Sequence, residues 1–261
     1  MRNCTRVLVV VGLVSLFLVP QIRAQGFQWP EEPENLQELP DGVKGRELGA
    51  VMRSFATALG VRCQYCHGGK AGQELKPFDL TTFDFASDER PAKQKARLML
   101  NMVKSINEKH LAGLSDWGVP SSERLQVTCI TCHRGQAEPR VLGDVLTQVI
   151  EEEGVDAAKK KYNELREEFY GGFSYDFSER VLTRVAGTFI EQGKFTEAIE
   201  LIELELEHYP ESLYAHFVLA GAYKESGNKD AAIETLKKAL SFAPDSQKPF
   251  LQSQLEELKG S

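Results

Sequence analysis

Cys63-Gln64-Tyr65-Cys66-His67 and Cys129-Ile130-Thr131-Cys132-His133 decide how the first half of this chain is built. Both spell C-x-x-C-H, the pattern of covalent haem attachment. Two thiols three residues apart reach the two vinyl groups of one porphyrin as thioethers, and the histidine that follows places its imidazole beneath the iron. Two copies of the pattern imply two covalently bound haem c groups, attached at Cys63, Cys66, Cys129 and Cys132, with His67 and His133 as metal ligands. Other uses of paired cysteines fit less well. Disulfides give no reason for a histidine after each pair. A zinc site made of two C-x-x-C pairs has them roughly 15 to 20 residues apart, whereas a helix-sized insert separates Cys66 from Cys129. A thioredoxin-like pair belongs to a strand-helix context, and neither pair lies in one.

The face of each iron opposite its histidine separates an electron carrier from an enzyme with an open site. Beyond Met1 the methionines are Met52, Met99 and Met102, all on segments that read as helices ahead of a haem motif. From Val43 to Leu59 the residues Leu48, Met52, Phe55 and Leu59 recur at helical spacing, and Gly60 suits the stop. A chain that turns back at Gly60 lays the first haem against the face that carries Met52. The second helix is expected from Ser87 to Leu111, with an acidic first turn and Pro91 at an early, tolerant position. Its apolar face holds Ala96, Met99, Met102, Val103 and Ile106, so spacing leaves Met99 and Met102 both open. His110, farther along, offers another ligand in principle but reads as a satisfied surface or core histidine.

Asn35-Leu36-Gln37, Met52 and Leu59-Gly60-Val61 ahead of the first motif resemble the cytochrome subunit of photosynthetic reaction centres. Phe85-Ala86-Ser87-Asp88, Ala96-Arg97-Leu98-Met99-Leu100-Asn101-Met102, Ile106-Asn107 and Val127-Thr128 before Cys129 resemble that family's second haem segment. The likeness runs from Glu34 to Gly135. It implies electron transfer between protein partners, a membrane-bound reaction centre or a respiratory complex among them. It also implies a helix methionine as sixth ligand at each haem: Met52 at the first and, by its offset from Ile106-Asn107, Met99 at the second. Typical members carry four haems, so two motifs correspond to half of the usual subunit. His110 is then left without the iron its counterpart serves in four-haem members, and the stretch from Ala112 to Gln126 is longer than the family's.

After Gly135 cysteine disappears and Lys and Glu become dense. Glu179 to Ser212 laid over Leu213 to Ser246 shows a 34-residue repeat. Ala186/Ala220, Gly187/Gly221, Phe189/Tyr223, Gly193/Gly227, Ala198/Ala232, Ile199/Ile233 and Pro210/Pro244 pair, as in a tetratricopeptide helix-turn-helix unit. The small residues are expected to let the paired helices approach. A degenerate earlier unit fits Leu142 to Phe169, and Gln247 to Leu258 suits a final capping helix. Arrays of this kind bind proteins or peptides on a concave face, although the repeats would equally serve to buttress the haem part or to form a dimer.

At the N-terminus Arg2 and Arg6 precede the apolar run from Val7 to Val19, and Ile22-Arg23-Ala24 offers a cleavage point: a secretory signal, with an uncleaved anchor as the alternative. No Cys follows the run, which argues against a lipid anchor. Cleavage after Ala24 removes three Arg and no acid, taking the formal net charge from −7 to −10. That balance disfavours nucleic acid and anionic membranes and favours basic partners, or simply keeps the surface solvated. The expectation is thus an all-α protein: signal peptide 1–24, a small dihaem c-type cytochrome domain 25–140, and a tetratricopeptide-like helical solenoid 141–261. Its place is the periplasm or the outer face of the cytoplasmic membrane, and its role that of an electron carrier with no catalytic residues. A dihaem peroxidase with one open iron, and a haem-free repeat scaffold, are the competing classes.

Overall fold

A computed structural model of the protein describes residues 27–112, 114 and 125–260. The expected signal, 1–24, and most of the long stretch between Ala112 and Gln126 lie outside these residues. The first half contains α1 (Gly45–Leu59), α2 (Pro91–Ser105) and the short α3 (Cys129–His133). A two-stranded antiparallel ribbon, β1 (Gly68–Gly69) with β2 (Phe83–Asp84), is the only sheet among the described residues. The second half is helical throughout: α4 (Leu142–Glu153), α5 (Val155–Phe169), α6 (Val181–Glu191), α7 (Phe195–His208), α8 (Leu213–Glu225), α9 (Lys229–Phe242) and α10 (Lys248–Gly260). The chain is all-α, as its periodicities imply. No helix among the described residues is long and apolar enough to cross a membrane.

Helix α1 stops at Gly60, whose φ of 65° is left-handed and costs glycine little. The Gly60 and Val61 amides bond back to the carbonyls of Thr57 and Ala56. A second constraint acts at the same residue. A Cβ on Gly60 would stand 1.9 Å from the carbonyl oxygen of Gly135, and the Gly135 amide donates to the Ala58 carbonyl at 2.8 Å. The end of α1 and the end of the second haem motif therefore meet backbone to backbone.

Helix α2 begins at Pro91, later than the expected Ser87, for a local reason. The Asp84 carboxylate accepts from the amides of Ala86 and Ser87, and the Ser87 hydroxyl from the amide of Glu89, so these side chains hold turns of their own. Arg90 is extended, as a residue before proline must be, and Pro91 takes the first helical position, where no amide is needed. Past Ser105 the helix widens into a π-turn over Ile106–Leu111, so the expected end near Leu111 is met with a different hydrogen-bond register.

In the second half, helix pairs stack as a solenoid. Ala186, Ala198, Ala220 and Ala232 are all buried, and Gly193 and Gly227, at matched positions, turn the chain between paired helices with φ of 72° and 83°. The close helix approach comes from the alanines. Gly187 and Gly221, equally small, have nothing within 4 Å of a Cβ built on them. Buried side chains run continuously from Leu142 to Leu258 in two adjoining clusters. The first joins α4 and α5 to α6, α7 and α8, and the second closes under α10. Glu205 is buried on α7, yet its carboxylate accepts from the amides of Arg180 and Thr183 at 2.8 and 2.7 Å and so satisfies the start of α6.

Candidate haem-binding site

Each C-x-x-C-H motif is one tight turn. At the first, the amides of Cys66 and His67 both return to the Cys63 carbonyl, at 3.2 and 3.0 Å. At the second, α3 opens with the Thr131 hydroxyl accepting from the Thr128 amide at 3.0 Å, and Arg134 closes it in the left-handed region with φ of 51°. This compactness brings both sulfurs and the imidazole of a motif to one place. None of the four motif cysteines is tied up in a disulfide. Burial raises the pKa of Cys66 and of Cys129, keeping them protonated.

A single cavity of about 540 Å³ is lined by Met52, Cys63, Cys66, His67, Met99, Cys129 and His133 together. Seven of the eight residues singled out by sequence thus face one space. The eighth, Cys132, lines a neighbouring cavity with Arg134, Gln136 and Ser174, which adjoins the first at Pro139 and Arg140. Met102 does not line the shared cavity although it is as exposed as Met99, at 44% against 40%. His110 is exposed on the π-turn and does not reach the cavity.

The two histidines are held differently. His133 directs Nδ1 at the carbonyl of Gln136, 2.9 Å away. A carbonyl only accepts, so Nδ1 carries the proton and Nε2 keeps its lone pair for a metal. His67 lies edge-on to Phe85 with ring centroids 5.0 Å apart, and its Nδ1 is buried with no hydrogen-bond partner among the described residues. Phe85 in turn stacks on Phe83 and contacts Phe27 and Trp29, an aromatic wall behind the first motif. Burial, then the charges of Lys93 and Arg97, hold His67 at a pKa of about 4. A neutral imidazole with an unsatisfied ring nitrogen, two thiols and an apolar, half-open cavity is a donor set that fits covalently attached haem.

Residues 73–182 match the family model of the photosynthetic reaction centre cytochrome C subunit. This middle stretch of the chain is similar to reaction-centre cytochromes. Residues 189–252 match the tetratricopeptide repeat family. A cytochrome c-554 of Chloroflexus aurantiacus is 33% identical over 93 residues, covering 35% of this chain and 18% of that protein. The photosynthetic reaction center cytochrome c subunit of Roseobacter denitrificans is 31% identical over 121 residues, 46% of this chain and 28% of the relative. That of Rubrivivax gelatinosus is 26% identical over 144 residues, 50% and 36%. The chain thus spans little more than a third, at most, of these curated relatives. The cytochrome family match includes the second motif, begins after the first, and continues past Arg140 into α6. Two bonds tie these stretches together: the Ser174 hydroxyl donates to the Arg134 carbonyl at 2.7 Å, and the Gln136 side-chain Nε2 to the Ser174 carbonyl at 2.8 Å.

Two positioning groups in this cytochrome-like segment carry no metal-binding signature and were missed as site residues. Asn107, on the π-turn, donates to the Val127 carbonyl and accepts from the Val127 amide, both at 2.8 Å, and so fixes the backbone two residues before the second motif. Lys93, only 12% exposed, donates to the carbonyls of Phe85, Ala86 and Ser87 at 3.0, 3.1 and 2.8 Å. Asn35, Asp88 and Asn107 do fall within the stretches that carry the family resemblance, and that was the available signal.

Proposed function

We propose that the chain is an exported dihaem c-type cytochrome that passes single electrons between protein partners, in two units that divide near residue 140. Cys63 and Cys66 attach one haem and Cys129 and Cys132 the other. His67 and His133 would be iron ligands, and Met52 and Met99 would complete the ligation. The observation that carries this reading is the one cavity lined by both motifs and by these two methionines. A bound haem supplies a one-electron couple, and methionine opposite histidine favours its ferrous state. The chain's own residues do the rest. Phe85, Trp29, Phe55 and Leu59 give the cavity an apolar lining, His133 is fixed by Gln136, and the backbone contact at Gly60 and Gly135 sets the two motifs side by side.

The repeats serve as a docking surface for a protein partner. The names of the relatives support a photosynthetic reaction centre as the redox partner, and a respiratory complex at the outer face of the cytoplasmic membrane is the other class this reading allows. The test is spectroscopic. Purified from cells able to attach haem, the chain should stay coloured after denaturation, with two haems per polypeptide, and its reduced spectrum should not respond to carbon monoxide. One haem, or none, removes the dihaem reading. Rapid carbon monoxide binding replaces the carrier with an open-site enzyme of the peroxidase kind.

A further inference from the structure

The surroundings of the two motifs differ in charge as well as in hydrogen bonding. Behind the first, Lys93 and Arg97 stand one helical turn apart on α2, only 12% and 11% exposed. Asp88 pairs with both, at 3.0 and 2.8 Å, and is held well below the usual carboxylate range by the Arg97 guanidinium first and the Lys93 ammonium next. Asn35, itself at a left-handed φ of 61°, donates to Asp88 and Ala86 and accepts from Arg97. The whole cluster grips the loop whose Phe85 lies against His67. At the second motif the neighbouring cations, Arg134 and Arg140, are exposed to solvent, where water and salt screen them.

Resting on the dihaem reading, we propose that the half-buried cations Lys93 and Arg97, bridged by the exposed Asp88, set the potential of the Cys63/Cys66 haem above that of the Cys129/Cys132 haem, so that an electron entering the pair comes to rest at the first motif. The physical argument is one of sign. Reduction lowers the charge at an iron by one, and a desolvated cation at fixed distance stabilises the form with less positive charge. Lys93 and Arg97 against the single carboxylate of Asp88 leave one net positive charge in the cluster, and Lys93 holds the carbonyl of Phe85, whose ring lies against His67. The aromatic wall works in the same direction, since low polarity disfavours the more highly charged ferric form. The second motif, bonded through Arg134 and Gln136 to Ser174 of the repeat half, becomes the entry point for electrons from a docked partner.

Redox titration of the full, haem-loaded chain tests this. A Cys129→Ala/Cys132→Ala variant identifies the midpoint of the second haem as the one that disappears. Lys93→Gln and Arg97→Gln should each lower the remaining midpoint, and Asp88→Asn should raise it, each by about a tenfold change in the ferrous-to-ferric ratio, or about 59 mV for a one-electron couple. A merely structural role for the cluster would move all three the same way, because each variant loosens the same loop. Shifts of one sign, shifts confined to the second haem, or no shift in Asp88→Asn alone would overturn the proposal. Failure of the unmodified chain to carry haem would instead remove the dihaem reading beneath it.

Discussion

The repeat half is organised around a core, and the motif half around a cavity. Between Leu142 and Leu258 buried apolar side chains follow one another without a break, many of them fully inaccessible, as Leu146, Phe189, Leu201 and Ala232 are. The motif half buries Val43, Leu48, Ala58 and Phe83 but gathers no such cluster, and α2 has no buried residue at all. Its apolar faces turn to the space shared by the two motifs. One chain thus holds a segment that packs its side chains on one another and, on the proposed reading, a second that arranges them about a prosthetic group.

The strongest way to break that contrast is to remove attachment. Cys63→Ala/Cys66→Ala should cost one of the two haems and strip hydrogen-exchange protection from α1 and α2, while α6 to α10 keep theirs; equal loss in both halves would mean they share one cooperative unit. Gly60→Ala comes next. With no room beside the Gly135 carbonyl and a left-handed φ, it should destabilise the motif half by roughly 2 to 4 kcal/mol. Leu201→Ala, of similar size at about 2 to 5 kcal/mol, should lower the unfolding midpoint of the repeats and leave the haem spectrum unchanged.

Smaller still is Asn107→Ala, which leaves the Val127 amide and carbonyl unpaired at roughly 1 to 3 kcal/mol. It should shift the midpoint potential of the second haem and not the first. The smallest effect is on pH. His216 is buried against Phe242, with Nε2 unpaired, and burial lowers its pKa. The unfolded chain therefore binds the proton more readily, so the repeat half should lose stability as pH falls below about 6.5, the unfolded value. In urea titrations across pH 5 to 8, His216→Leu should flatten that dependence.

What could be read from the sequence was what sits close together along it. The motifs, the repeat period, the stop of α1 at Gly60 and the Met52 face are all local patterns, and each appears in the fold. What the sequence concealed depends on residues far apart. The approach of Gly60 to Gly135 joins positions on either side of α2, and nothing near Gly60 marks its second constraint. Lys93 reads as one more surface lysine until Phe85, Ala86 and Ser87 turn their carbonyls toward it. Pairing of Gly187 with Gly221 was visible as a repeat, yet their small size serves an open face, because Ala186 and Ala220 already supply the contact. Spacing left Met99 and Met102 equivalent, whereas the shared cavity is lined by Met99 alone of the two.

The junction at Gly60 and Gly135 is made of main chain only, and Asn107 closes a second junction on the Val127 backbone. Register between the motifs is therefore set where main chain meets main chain, and a single added methyl group at position 60 would pry the two sites apart.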